Sequence, residues 1–376
     1  MKNILIAIRS IFKKGRHNVM KIVSLGIGLA VGLVLIAKVY FEQSYDDFYP
    51  DRDRVYQVWA KYQQNGGELK DYPQTSGGIA PTMQQQIPEI ETVTRYTSFG
   101  DWTFTMTDTK MKYSGRCIIA DSCFFDILPR PMLIGNAKEV LSTPMYVLVS
   151  SRIAKNIGGD VIGKNFTVDS SPGRTMTIGG VFEEVPENSH SRYDVIVSMA
   201  SAGRFMWEGS PTNMLGNDRY ISYVKLHKGV NPLALEEQVH TFVNSYFPPE
   251  EQQKTGFNIG FSFHELDGLH KELPQVKRMT WILSLLAFAL IFTAVMNYIL
   301  IVISSIVNRS KEVAVHKCYG ASENNIHGMM FGEALVHIVL SLILALLLIL
   351  AFRGTVEELL ATSLDSLLLS NGSLVL

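Results

Sequence analysis

The sequence predicts an α-helical membrane protein with a large α+β domain inserted between its first and second transmembrane helices. Three observations carry that expectation. Three apolar runs are long enough to cross a bilayer, and transmembrane helices are expected at residues 19–40, 277–307 and 333–352. About 235 residues between the first two alternate short apolar and polar patterns with turn residues, as a folded domain does. Basic residues crowd the N-terminus, which sets the direction of threading.

Residues 1–18 read as an amphipathic helix lying along the cytosolic membrane surface. Ile4, Leu5, Ile8, Ile11 and Phe12 share one helical face, while Lys2, Arg9 and Lys13 fall elsewhere. With Lys14, Arg16 and Lys21 these make six basic residues, and no acidic residue occurs among the first 21, so the N-terminus is expected in the cytosol. In the first span Lys21 and Lys38 stand near the two ends, where their stems can carry the charge to the headgroups. A basic start before an apolar run also resembles a signal peptide. The run is long for that, and "IAKVYFEQ" is a poor cleavage site, so an uncleaved span is the better reading. Ser24, Gly28 and Gly32 recur at intervals of four and offer a small-residue face for another helix.

Residues 41–276 are expected outside the membrane. "RVYQVWAKY", "MYVLVS", "RTMTIGGVF" and "YISYVKLH" read as strands, and "PTMQQQIPEI" and "NPLALEEQVHTFVNSYF" as helices begun near a proline. Three chemical motifs fail on inspection. "GGDVIGKN" has phosphate-loop spacing in Gly158, Gly163 and Lys164, but Asn165 stands where a magnesium-binding hydroxyl is needed. In "ENSHSRYD", Ser189, His190 and Asp194 lie too close along one loop to form a hydrolytic triad. In "HELDGLH", His264 and His270 are six apart and do not share a helical face for a metal. Cys117 and Cys123 would be chemically free to pair outside the cytosol, but two partly buried thiols is the preferred reading. The net charge of -1 argues against nucleic acid as a partner.

From Thr280 to Val307 no charged residue occurs, a stretch that as a helix spans about 42 Å. Then comes "NRSKEVAVHKCYGASENNI", polar and charge-mixed, before the uncharged run Ala334–Phe352 with its single His337. Residues 308–332 are expected to form a cytosolic coupling element. A short helix begins near Ser310, the chain breaks at "YGAS", and Ser322 caps the next helix.

That segment resembles the signature of the FtsX/MacB-type ABC permease family, an R-x-K-E-[IV]-[AG]-[IV]-[RH]-K-x-x-G-A-S core with a Glu-Ala opening the next span. Arg309, Lys311, Glu312, Lys317, Gly320, Ala321, Ser322 and Glu333 match it. "FEQSYDDFYPDRDRVYQV", "APTMQQQIPEIETVTRY", "ADSCFFDILPRPMLIGNAKEVL" and "GVFEEVPENSHSRYDVIVS" are similar to successive landmarks of the MacB-like extracytoplasmic domain, especially in bacteroidete members. The resemblance implies a permease without catalytic residues or cofactor of its own, coupled to a cytosolic ABC ATPase dimer that binds ATP and Mg. Val313 and Val315 join the charged residues as ATPase-coupling positions. A second permease half or protomer, the lipid bilayer and a periplasmic adaptor complete the implied partners, in a bacterial inner membrane with the large domain in the periplasm. Export or efflux of antimicrobial peptide, drug or lipoprotein type is the implied output, with non-transport mechanotransmission or membrane-anchored sensing as the alternative. The family half-module has four spans, and residues 353–376 read as an outer loop with the incomplete start of a fourth, as in a truncated half-module.

Overall fold

Two units of different chemistry divide the chain, Tyr45–Leu269 and the pair of segments Met1–Ser44 and His270–Leu376. The computed structural model describes residues 18–169, 171–319 and 323–369, so the expected surface helix at 1–18 lies outside the described residues but for Asn18. Chain order opens with helix α1 (Asn18–Gln43) of the helical unit.

The α+β unit is then built from β1 (Val55–Gln64), β2 (Lys70–Tyr72), α2 (Ile79–Gln86), β3 (Ile90–Met106), β4 (Lys112–Ala120), β5 (Met132–Ile134), α3 (Ala137–Ser142), β6 (Tyr146–Ser150), α4 (Ser151–Ile157), β7 (Asn165–Val168), β8 (Ser171–Phe182), β9 (Val195–Ser198), β10 (Ile221–Leu226), α5 (Glu236–Tyr246) and β11 (Phe257–Glu265). One sheet runs β11-β1-β10-β3-β4-β9-β6-β8-β5, with β2 on β1 and β7 on β3 and β8. The β4–β9 and β6–β8 pairs are parallel. The other pairs are antiparallel.

The long β3 serves three hydrophobic clusters, and Tyr96 in its middle joins the one that holds Ile118, Leu148 and Ile196. Ile90 and Val93 near its start pack with β1, β10, α2 and α5. Phe104 and Met106 near its end pack with β4, β6, β7, β8 and β9. After Tyr96 a bulge at Ser98–Gly100, with Gly100 at φ +75°, breaks the register against β4 and lets the strand turn towards the cluster of Phe104 and Met106. Central strands are covered on both faces. Cys117 and Ile119 of β4 enter one cluster, and Ile118 and Ala120 enter another with Ile196 of β9 and Leu148 of β6. That double burial, worth about 1.5–3 kcal/mol per large side chain, is why these strands are continuously apolar.

Local chemistry sets the element ends. Ser150 Oγ accepts from Ile153 N and caps α4, and Gly158 at φ +77° ends it. Helix α2 closes at Gln86, short of the expected "PEI", because Pro88 biases Ile87 away from helical geometry, and Ile87 is extended.

A lone cation tests the core. Arg130 is 6% exposed, and among the described residues its guanidinium nitrogens make no hydrogen bond of good geometry, with only the Tyr49 hydroxyl offering a weak one. Rings of Phe124, Phe125, Phe182 and Tyr193 surround it at 5.2–5.9 Å. Burial pushes the guanidinium below its usual range, and the nearby Tyr49 and Tyr193 hydroxyls oppose only part of that shift. Burying an ion without hydrogen bonds is costly, and a well-packed apolar replacement removes the cost. Arg130→Met is therefore expected to keep or raise the thermal unfolding temperature of the purified protein. A clear fall would mean the cation contributes more than its aromatic contacts.

The helical unit resumes with α6 (Pro274–Cys318), α7 (Glu323–Ala351), α8 (Arg353–Leu360) and α9 (Leu364–Leu369). Asn18–Gln43, Pro274–Ser304 and Met330–Ala351 are long and apolar enough to cross a membrane. No new helix starts near Ser310, where a short separate helix was expected. Helix α6 runs without interruption for 45 residues, because after Pro274 at its first position it contains neither glycine nor proline. Two short helices, α8 and α9, follow the third candidate span. Arg353 ties them, pairing with Glu357 and Asp365 at 2.9 Å each. The expected start of a fourth span, "SLDSLLLSNGSLVL" at residues 363–376, is described only as far as residue 369, where it holds α9, and residues 370–376 lie outside the described residues.

Candidate functional site

Among the described residues no group of three or more His, Cys, Asp and Glu could hold a metal ion. The close helix contacts and buried ionisable groups of the helical unit make it the candidate site. Helix α1 packs on both α6 and α7. A methyl group built at Gly28 would lie 2.3 Å from Ala294 Cβ of α6, and one at Gly32 would lie 2.5 Å from Ile291 Cγ1. Both glycines thus occupy places where α6 comes too near for any side chain. Ser24, one turn earlier, is half-buried. Sequence reading missed Gly26, where an added methyl group would lie 2.9 Å from Leu344 Cδ2 of α7. Its offset of two from Gly28 is the signal that a second helix packs on another face.

The lysines of the first span depart from expectation. Lys21 and Lys38 are buried rather than directed to headgroups. Lys21 Nζ donates to Asn18 Oδ1 at 3.2 Å. Lys38 Nζ lies 2.7 Å from Glu42 Oε1 and donates to Thr362 Oγ1 at 2.8 Å. Glu42 Oε2 meets His270 Nε2 at 2.5 Å. On α7, Glu333 and His337 are buried four residues apart, with Tyr298 Oη of α6 3.4 Å from His337 Nδ1, and Ser341 Oγ donates to Ile22 O of α1 at 3.1 Å. Buried ionisable groups inside spans are rare, and the isolated His337 in an uncharged run was the available sign.

Of the positions expected to couple to an ATPase, Arg309, Lys311, Glu312, Val313, Val315 and Lys317 all belong to the last turns of α6. Val315 is 54% exposed and the following Tyr319 88%. An apolar side chain displayed in that way at a helix end can be covered by a partner. Gly320, Ala321 and Ser322 lie outside the described residues.

The discarded motifs take structural places. Gly158 ends α4 and Gly163, at φ +76°, turns towards β7, so this glycine loop follows a helix instead of opening one. Ser189 Oγ donates to Asp46 Oδ1 at 2.5 Å, and His190 Nδ1 is 2.6 Å from Asp46 Oδ2. Serine and histidine both address the carboxylate, so no nucleophile–base pair exists between them. Asp194 accepts instead from Arg116 N and pairs with Arg152. His264 stacks on Trp59 at 4.2 Å. Cys117 and Cys123 are free thiols, and burial pushes the Cys123 thiol up to about 11.

Comparison with known families then decides the assignment. The MacB-like periplasmic core domain matches residues 20–242, more than half of the chain, and the FtsX-like permease C-terminal domain matches residues 284–373. The chain belongs to the FtsX/MacB-type permease family. The permease is similar to a domain of a candidate permease from Porphyromonas gingivalis, with 32% identity and TM-score 0.53 over 58% of this chain and 91% of that one. Alignments also link it to the periplasmic region of MacB from Actinobacillus actinomycetemcomitans (17% identity, TM-score 0.35, 55% and 87% covered). A third is the extracellular domain of the noncanonic ABC-type transporter YknZ from Gram-positive bacteria (10%, 0.38, 55% and 98%). No curated protein matches the sequence. Membership gives the permease the role of membrane component of an ABC transporter, with the ATPase in a partner subunit and an extracytoplasmic domain.

Proposed function

We propose that the permease carries motion from a cytosolic ATPase dimer to its extracytoplasmic α+β unit, and that residues 309–322 are where the ATPase docks. The observation that carries this reading is the unbroken α6. Its candidate span closes at Ser304 and the helix continues to Cys318, fourteen residues or about 21 Å further. A helix that leaves the apolar region without a hinge delivers force applied at its exposed end to the part inside the bilayer. By their chemistry Arg309, Lys311, Glu312 and Lys317 offer charges for a protein surface and Val313 and Val315 apolar contact, with Gly320, Ala321 and Ser322 completing the proposed docking segment in sequence. ATP and Mg are held by the ATPase.

The basic N-terminus supports a cytosolic start and an inner-membrane location with the α+β unit in the periplasm. Exposed Trp281, Leu285, Phe288 and Phe292 on α6 suit contact with lipid, with a second permease half or protomer, or with both. A periplasmic adaptor would meet the α+β unit. The output is export or efflux of the antimicrobial peptide, drug or lipoprotein type, with mechanotransmission without transport, or membrane-anchored sensing, as the second reading.

Affinity purification from native membranes tests the docking. An ABC ATPase is expected to accompany the wild type and to be lost with Lys311→Ala/Glu312→Ala, a drop of tenfold or more for about 1.4 kcal/mol of lost contact. An ATPase retained equally by both would move the docking surface elsewhere. None with either would refute the coupling role.

A further inference from the structure

Two carboxylates four residues apart, Glu42 and Asp46, stand on either side of the boundary between the two units, and each is gripped by a histidine distant in sequence. In the helical unit Glu42 receives Lys38 Nζ at 2.7 Å and His270 Nε2 at 2.5 Å. In the α+β unit Asp46 is 1% exposed and sits at φ +58°, left-handed for a residue that is not glycine. Its side chain accepts from Ser189 Oγ and meets His190 Nδ1, while its N–H donates to Asn188 O at 2.9 Å. Tyr49 Oη and Ser191 Oγ, 2.5 Å apart, close the same knot.

The chain crosses the boundary twice. On the first crossing only residues 43–45 lie between Glu42 and Asp46. On the return, Leu266 is buried in the α+β core and its N–H donates to Val55 O, while His270 is held by Glu42 in the helical unit, so only residues 267–269 lie between. Both tethers are three residues long and anchored at each end. Charge-assisted hydrogen bonds are short and directional, so they fix position as well as proximity.

We infer that the Glu42–His270 and Asp46–His190 pairs are positioning pairs, holding the two chain crossings so that displacement of the helical unit reaches the α+β unit instead of being absorbed in slack chain. The inference rests on the mechanotransmitting role proposed above. Residues that take no part in ATP binding would then govern how much of each ATPase cycle arrives outside.

The test uses the full permease with its ATPase in lipid nanodiscs, spin-labelled at cysteines replacing exposed Met111 and Leu359, with Cys318→Ser. Pulsed EPR reads the ATP-driven change in the interlabel distance beside the ATPase rate. His270→Ala and His190→Ala are expected to keep the ATPase rate within about twofold and to lose about half or more of the distance change. His270→Gln, whose amide nitrogen replaces Nε2, and His190→Asn, whose amide nitrogen replaces Nδ1, are expected to retain it. Alanine variants that move like wild type would overturn the inference. So would alanine and amide variants that lose the change alike, since that marks a general packing defect. A wild type that shows no ATP-driven change would instead sink the mechanotransmitting reading itself.

Discussion

Arg95→Leu is expected to cost the α+β unit about 3–5 kcal/mol, read as a large fall in its thermal or denaturant midpoint. Arg95 Nε lies 3.1 Å from Asp121 Oδ2, with both side chains largely buried. One terminal nitrogen donates to the carbonyls of Gly77 and Pro211, and the guanidinium lies over the Tyr220 ring at 5.7 Å. One side chain therefore joins β3, the turn before α2 and the loop before β10. Its loss strands two carbonyls and a carboxylate. Burial already holds the Asp121 carboxyl above its ordinary value, and Arg95 opposes that shift. A raised acid is neutral in the folded state at low pH and must be charged there as the pH climbs through its folded value. Removing Arg95 raises that value further. The deficit of Arg95→Leu against wild type should thus be largest near pH 7 and shrink as the pH falls towards 4. A deficit independent of pH would mean that the carbonyl contacts, and not Asp121, set the loss.

Gly28→Ala is expected to destabilise the helical unit by about 1–3 kcal/mol, the usual cost of overpacking. The added methyl carbon would sit 2.3 Å from Ala294 Cβ, far inside van der Waals contact, so α1 and α6 must separate. The second-site change Ala294→Gly removes the colliding atom and leaves Ala294 Cα, at 3.6 Å, in ordinary contact. The double variant should recover most of the unfolding temperature in detergent. If it does not, the two helices do not meet at this pair.

How legible this was depends on the range of the interaction. Strands such as "MYVLVS" and "YISYVKLH" are set by local alternation and turn residues, and β6 and β10 fall within those segments. Gly28 and Gly32 could be picked out because a packing face repeats every four residues. The coupling segment was misdivided at Ser310 because polar residues there suggested a boundary, whereas continuity depends on the absence of helix breakers. The partners of Lys38 and Asp46 were hidden for a different reason. Thr362 is 324 residues from Lys38, and His190 is 144 from Asp46, separations that no local pattern encodes. The same letters Ser189 and His190 that suggested a triad proved to belong to Asp46.

Helix α6 has 45 residues and is about 67 Å long, roughly twice the thickness of a hydrocarbon core. In the proposed mechanism such a rod would work as a lever. Tilted by about 10° around one end, it would carry the other end sideways by about 12 Å, since lateral travel grows in proportion to length. Small rotations at the membrane could thereby become domain-sized strokes, and the gain would be fixed by residue count. Replacing one turn near residue 304 with a run of four glycines would leave both halves helical and yet abolish the amplification.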